Sequence, residues 1–224
     1  MFQKVLIAEE FDIIYSGLKA TLEEIEITST VIVHASYWDE AFMKLKKGVL
    51  NNSNYNLLIC DLVFLRDHKS HEITSGKDFI KRVREEFPAL KIIVFSDEDK
   101  SFIIQDLHKN FKINAYVLKD RDGQKELKKA LHHMHYSEEF YISKELKGAI
   151  HPRKAIKISE YDIFLIKCLS RGFSQEDISH KLKKKRVSPS STSAIEKRLK
   201  FLKENFNANN PAHLVALAKD LGVI

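Results

Sequence analysis

Two patterns of apolar positions divide the chain. Up to about residue 136, short apolar runs alternate with stretches where apolar residues return every three or four positions. The runs are Val5-Leu6-Ile7-Ala8, Thr30-Val31-Ile32-Val33, Leu57-Leu58-Ile59-Cys60, Ile92-Ile93-Val94-Phe95 and Tyr116-Val117-Leu118. Runs this short and continuous read as strands, those without polar alternation being buried on both faces. Helical stripes lie between them. Ile14, Leu18, Leu22 and Ile25 follow a cap at Asp12, and Ala41, Leu45 and Leu50 follow Ser36. Phe79, Ile80 and Val83 precede Pro88, Ile103, Ile104 and Leu107 follow Asp97-Glu98-Asp99, and Leu127 and Leu131 sit in a helix from about Asp122 to Tyr136. The alternation predicts an α/β unit, a doubly wound five-stranded parallel sheet with helices on both faces.

From Ser137 to Lys157 the periodicity weakens, and Gly148 and Pro152 break any long helix. This segment reads as a linker with room for one short ordered piece. After it the pattern is helical throughout. Ser159, three residues before Asp162, caps a helix through Ile163, Ile166 and Leu169 that stops at Gly172. Ser174 caps a second, with Ile178 and Leu182 on one face. A third begins near Ser193 and carries Ile195, Leu199, Leu202 and Phe206. Pro211 opens a fourth through Leu214, Leu217 and Leu221, ended by Gly222. The domains are thus 1–136, a linker 137–157, and a small all-α domain 158–224. Four short helices leave little room for catalytic machinery but suit helix-turn-helix recognition.

The chemistry gathers at strand ends. The first strand runs into Glu9-Glu10, the third into Asp61, the fourth into Ser96 and the fifth into Lys119. In an open parallel sheet the carboxyl ends of the strands face the ligand crevice. A carboxylate there needs a metal, a base or solvent. Each of these residues alone could merely cap its strand; five in this order make a site. A carboxylate can attack phosphorus, several carboxylates with water can hold Mg²⁺, and a hydroxyl and an ammonium can steady phosphoryl oxygens.

Charge separates the two parts. Residues 1–150 hold 22 Lys and Arg against 24 Asp and Glu, a net of −2, while residues 151–224 hold 15 against 7, a net of +8. The basic part calls for a polyanionic partner. No apolar run approaches the roughly 18 residues of a membrane span, and Met1-Phe2-Gln3-Lys4 leads straight into a strand, so neither a membrane nor a signal peptide is expected. Cys60 and Cys168 lie inside apolar runs, as buried thiols of a reducing cytoplasm would. The seven glycines are never closer than 24 residues, which excludes a glycine-rich phosphate loop. His132, His133 and His135, and His68 with His71, have the residue type of metal ligands but no thiolates beside them.

The strand-end set resembles the receiver domain of two-component response regulators, whose fold is flavodoxin-like. The resemblance implies Asp61 as phosphoacceptor, Glu9, Glu10 and Asp61 as holders of Mg²⁺, Ser96 and Lys119 as phosphoryl contacts, and Tyr116 as the switch aromatic. The chain departs from the family in having Phe64 where a Pro is usual and no Gly until Gly76, so the loop after Asp61 is longer than usual.

The helical part resembles a LuxR-type DNA-binding domain, the usual companion of receivers in the NarL/FixJ family. The resemblance rests on Ile158-Ser159-Glu160, on Leu169 to Ser174, on Ile178 and Leu182, and on Leu214-Val215 with Leu221 to Ile224. With Ile195 in the place of the family's Val, its usual His falls on Arg198. A recognition helix would then present Glu196, Lys197, Arg198 and Lys200 to the major groove. Between Leu182 and Ile195 the chain carries about six residues more than the family, including Lys183, Lys184, Lys185 and Arg186, which read as a basic arm for backbone phosphates or as a solvated loop. The implied function is a cytoplasmic, phosphorylation-gated transcription regulator that is not an enzyme. Its partners would be a sensor histidine kinase and DNA, bound as a homodimer. A receiver never phosphorylated and serving only for dimerisation is a second reading, and a small flavodoxin-like enzyme a third.

Overall fold

The computed structural model describes residues 2–25, 31–64, 71–147, 158–206 and 208–224. The chain divides into two compact units, one of residues 1–99 with 104–150 and one of residues 151–224 with the short segment 100–103. Strands of the first are β1 (Lys4–Ala8), β2 (Val31–Ala35), β3 (Leu57–Cys60), β4 (Lys91–Ser96), β5 (Ala115–Leu118) and β6 (Tyr141–Ile142). Its helices are α1 (Asp12–Glu24), α2 (Trp38–Leu50), α3 (Gly76–Glu86), α4 (Ser101–Phe111) and α5 (Gly123–Tyr136).

All strands are parallel, in the order β2-β1-β3-β4-β5-β6. Because side chains alternate across a sheet, Val5, Ile7, Leu57, Ile59, Ile93 and Val117 join Leu18, Leu22, Leu127 and Leu131 in one core beneath α1 and α5. The alternate positions Leu6, Leu58, Ile92 and Val94 are equally buried and point to the other face, where α2 and α3 pack together. The register pairs Ala8 with both Ala35 and Cys60, so β1 and β3 end level. Chain direction across the sheet reverses between β1 and β3, which opens the crevice there.

The doubly wound sheet agrees with the pattern, and a sixth strand extends it. Tyr141 and Ile142, within the stretch read as linker, pair with Ala115 and Tyr116. Two residues are too few to leave a periodic trace; tertiary bonds hold them. Buried Glu126 on α5 accepts from the Tyr141 hydroxyl (2.8 Å), the Lys144 amide (3.1 Å) and Lys129 Nζ (2.5 Å). Ser143, fully buried, accepts from the Leu118 amide at 2.9 Å. Three helix starts also differ from expectation: α2 begins at Trp38 with Tyr37 at its cap position, not at Ser36. Asp12 is the first residue of α1 and not its cap, and α4 begins at Ser101, after the acidic trio. Glu98 is drawn away from that start because its carbonyl accepts from the Tyr116 hydroxyl at 2.5 Å.

The second unit contains α6 (Glu160–Ser170), α7 (Gln175–Lys184), α8 (Thr192–Phe206) and α9 (Pro211–Asp220). Ser159 and Ser174 form capping boxes with Asp162 and Asp177, and Asn210 caps α9 ahead of Pro211. Gly172 ends α6 at φ +78°, a left-handed conformation that costs a residue with a Cβ about 1–2 kcal/mol. Leu165, Ile166, Ile178, Leu182, Ile195, Leu199, Leu202 and Leu214 fill the core. Among the described residues no helix is long and apolar enough to cross a membrane.

Replacing Glu126 by Ala should cost about 1–3 kcal/mol, because it removes three part-buried bonds to one buried carboxylate, and should speed amide exchange across residues 137–146. Burial pushes the Glu126 carboxyl up, but its bonds to Lys129, Tyr141 and the Lys144 amide outweigh this and leave it below the ordinary value. A depressed carboxylate stabilises the fold above the unfolded value of about 4.3 and loses that contribution as pH falls through the folded one. Glu126→Gln should therefore abolish an acid-dependent loosening of β6, measurable by hydrogen exchange between about pH 3 and 5.

Candidate functional site: a strand-end acidic pocket and a basic helical face

The sheet ladder runs one residue beyond each strand and so sets the site. The Glu9 amide donates to the Ala35 carbonyl (3.0 Å), the Asp61 amide to Ala8 (3.1 Å) and the Lys119 amide to Ser96 (2.8 Å). Side chains from four strands consequently converge. Lys119 Nζ lies 2.7 Å from Asp61 Oδ2 and 2.9 Å from Glu9 Oε2. The other Asp61 oxygen accepts from Ser96 Oγ at 2.6 Å and from the Leu62 and Val63 amides at 2.6 and 3.2 Å. Glu9 Oε1 accepts from the Phe11 amide at 3.0 Å. Glu9 is 1% exposed, Asp61 4% and Ser96 0%.

Burial raises the Glu9 carboxyl above its ordinary value, against the Lys119 bond and the Phe11 amide, which lower it. Burial alone would lower Lys119, yet its bonds to Asp61 and Glu9 prevail and hold it above the usual ammonium value. The site thus carries a fixed cation between two anchored carboxylates. Desolvation pushes the neighbouring Cys60 thiol far up, which makes it an inert core residue and not a nucleophile.

Tyr116 is fully buried and its hydroxyl donates to the Glu98 carbonyl, so the expected switch aromatic points inward. Glu10 is half-buried beside Glu9. As a donor set, Glu9, Glu10 and Asp61 supply the hard oxygens Mg²⁺ takes, and oxygens of Glu9 and Asp61 already meet at a single cation. Among the described residues, however, no three His, Cys, Asp or Glu side chains gather as a metal cluster. The cation they meet is Lys119. His132 meets the Tyr136 ring at a tilt and His135 meets it edge-on, and His133 binds the Glu139 carbonyl; His68 lies outside the described residues.

One supporting residue, Trp38, escaped the sequence reading. Trp38, the single tryptophan, donates from Nε1 to the Asp61 carbonyl at 3.2 Å and stacks on Phe64 at 4.6 Å. Phe64, at the position where the resemblance leads one to expect Pro, thereby holds the start of the long loop. Residues 65–70 of that loop lie outside the described residues. The loop closes where Gly76 rests on Leu62: a Cβ on Gly76 would meet Leu62 Cα at 2.5 Å and its carbonyl oxygen at 2.6 Å. A lone glycine 15 residues after Asp61 was the signal, but only the close approach gives it meaning.

In the second unit, α8 exposes Glu196, Lys197 and Lys200. Arg198 differs: its Nε and Nη2 donate to Asp162 Oδ1 and Oδ2 at 2.6 and 2.8 Å, so the guanidinium is committed to α6. Asp162 is fully buried; burial would raise its carboxyl, but the Arg198 and Ser159 bonds outweigh it and hold the group low. The residues read as a basic arm are ordered. Lys183 and Lys184 form the last turn of α7, Lys185 caps it with Nζ over the Phe164 ring, and Arg186 turns the chain at φ +55°. Bonds from the Tyr161 hydroxyl to the Pro189 carbonyl (2.8 Å) and from Ser179 Oγ to the Ser190 carbonyl (2.6 Å) fasten the remainder. All four basic side chains are exposed.

No family model and no curated protein matches the chain. Solved structures do. The two-component response regulator RcsB in complex with DNA covers 97% of this chain and 98% of its own, at TM-score 0.65 and 21% identity. RcsB from Salmonella enterica serovar Typhimurium, bound to a promoter in the presence of the phosphomimetic BeF3⁻, covers 96% and 97% at TM-score 0.65 and 22% identity. The isolated REC domain of RcsB from the same organism, with BeF3⁻, covers 66% of this chain and 98% of that one at TM-score 0.54 and 24% identity. The chain has the fold of RcsB. The likeness is one of fold; the chemistry rests on the strand-end residues themselves.

Gly76→Ala should push Leu62 away and drag the Asp61 carboxylate with it. The expected cost is about 1–3 kcal/mol, typical of overpacking, read as a lower urea midpoint. A shift in Trp38 emission should accompany it, since the indole is bonded to the residue that moves.

Proposed function

We propose that the chain is a phosphorylation-gated DNA-binding regulator. The observation that carries this reading is a buried aspartate at a strand end whose two oxygens are bonded to a serine hydroxyl and a lysine ammonium. That is the environment an acyl phosphate needs. Asp61 attacks the phosphorus of a phosphohistidine on a sensor kinase; the new P–O bond forms as the P–N bond breaks, and imidazole leaves. Ser96 and Lys119 then donate to phosphoryl oxygens in place of the carboxylate. Glu9, Glu10 and Asp61 would hold Mg²⁺, which would supply positive charge to the transferred phosphoryl group. Losing the Asp61 carboxylate as partner frees Ser96 and Lys119 to move, and Tyr116, on the same strand as Lys119, follows. This biases a pre-existing equilibrium between two surfaces of the first unit.

The second unit supplies the output, as a homodimer on two half-sites of duplex DNA. Glu196, Lys197 and Lys200 on α8 face the groove, while Lys183, Lys184, Lys185 and Arg186 neutralise backbone phosphates. The protein works in the cytoplasm and turns over no substrate of its own beyond its phosphoryl group. A second reading has one observation in its favour: Lys119 already bridges both carboxylates, as in a receiver that is never phosphorylated and serves only for dimerisation.

Incubation with acetyl phosphate and Mg²⁺, followed by intact mass, decides between them. A single phosphoryl adduct on the wild type and none on Asp61→Ala is the expected result; no adduct on either under any metal condition would favour the unswitched reading. A further outcome concerns the basic turn. Reversing Lys183, Lys184 and Arg186 to Glu should weaken binding to every duplex alike and make the salt dependence shallower by about one log unit per lost phosphate contact. Loss at one sequence only would contradict the assignment.

A further inference from the structure

The sequence places Arg198 among the residues of α8 that face a groove; the structure gives it another task. Ile195, Leu199, Leu202 and Phe206 form the buried stripe of α8. At about 100° per residue, Arg198 falls on the flank of that stripe, whereas Lys197 and Lys200 fall on the far side. The guanidinium lies with its Cζ 4.6 Å from the Phe201 ring centre and forks onto both oxygens of Asp162. Asp162 cannot shift to follow it. The carboxylate is 0% exposed, sits at the third position of α6, and also accepts from the Ser159 amide at 2.8 Å and the Ser159 hydroxyl at 2.7 Å. One carboxylate therefore closes the first turn of α6 and fastens α8.

We propose that the Asp162–Arg198 fork sets the roll of α8 about its own axis, and that both residues act in DNA recognition as positioning residues without touching DNA. A bidentate guanidinium–carboxylate pair is planar and fixes rotation as well as distance. An apolar stripe does this poorly, since buried side chains repack when a helix turns by a few degrees. A small roll displaces the tips of Lys197 and Lys200 sideways, enough to lose a base edge while a phosphate stays within reach. The fork therefore governs discrimination between sequences far more than gross affinity. This rests on the DNA-binding reading of the second unit.

The test uses the full-length protein. A duplex is first selected from a random pool with the wild type. Fluorescence anisotropy then yields Kd for that duplex and for a scrambled one over a salt series, for wild type, Asp162→Asn, Arg198→Lys and the double variant. Each single variant should lose about tenfold in the ratio of the two Kd values, the scale of one lost base contact. The scrambled Kd and its salt slope should stay at the wild-type level, and the double variant should be no worse than either single one. Because Asp162 is buried on another helix, a specificity loss in Asp162→Asn is a result that direct base contact by Arg198 does not produce. Full discrimination retained by Asp162→Asn overturns the proposal. So does a lowered melting temperature with an unchanged ratio, the mark of a purely structural pair. If circular dichroism shows Asp162→Asn unfolded, Asp162→Glu, which keeps the charge but displaces it by one methylene, takes its place under the same criteria. A wild type that selects no sequence overturns the DNA-binding reading itself, before any variant is compared.

Discussion

One ammonium group holds the first unit's chemistry in place. Glu9 and Asp61 end adjacent parallel strands, both almost fully buried, and two ionised carboxylates so placed repel each other and lack water. Desolvation of an unpaired ion costs several kcal/mol even after relaxation. Lys119 reaches from the end of β5, past β4, and touches both, with Nζ at 2.9 and 2.7 Å. Its partners are 110 and 58 residues away in the chain. The contact requires the strand order β1-β3-β4-β5 and level strand ends. Sheet topology and site electrostatics are in this sense one constraint.

The same constraint explains why the site is poised for change. Asp61 spends its hydrogen-bonding capacity on Ser96, Lys119 and two amides. Any group that takes over one of those oxygens redistributes bonds that tie β4 to β5. Tyr116 lies on β5 between the site and the added strand: its hydroxyl binds the Glu98 carbonyl, and its own carbonyl accepts from the Ser143 amide at 3.0 Å. Rearrangement at Lys119 thus has a short covalent and hydrogen-bonded path to residues 141–146.

The helical unit solves a related problem by the same means. Asp162 is as buried as Glu9, and again a cation from a distant helix compensates it. There the pair joins two helices instead of three strands, and both oxygens are taken by a planar fork, which leaves no oxygen for exchange. On the proposed function, a shared spherical ammonium suits a site whose bonds are to be redistributed, and a fork suits one whose geometry is to stay fixed.

The sequence by itself determined the local features. Five continuous apolar runs and the stripes of period 3.6 between them are local patterns that backbone geometry and burial impose. The capping boxes at Ser159 and Ser174, the stop at Gly172 and the start at Pro211 are set by neighbours within four residues. The order acid pair, acid, hydroxyl, ammonium was readable because parallel strands all end on one side. Only the tertiary structure decided the rest. It added β6, two residues with no period, held by Glu126 and Ser143. It folded the basic insertion onto α7 and its turn, gave Gly76 a reason in Leu62, and took Arg198 from the groove face to Asp162, 36 residues away. Such partners are chosen by which side chains the packed core brings within hydrogen-bond distance, and no spacing along the chain encodes that distance.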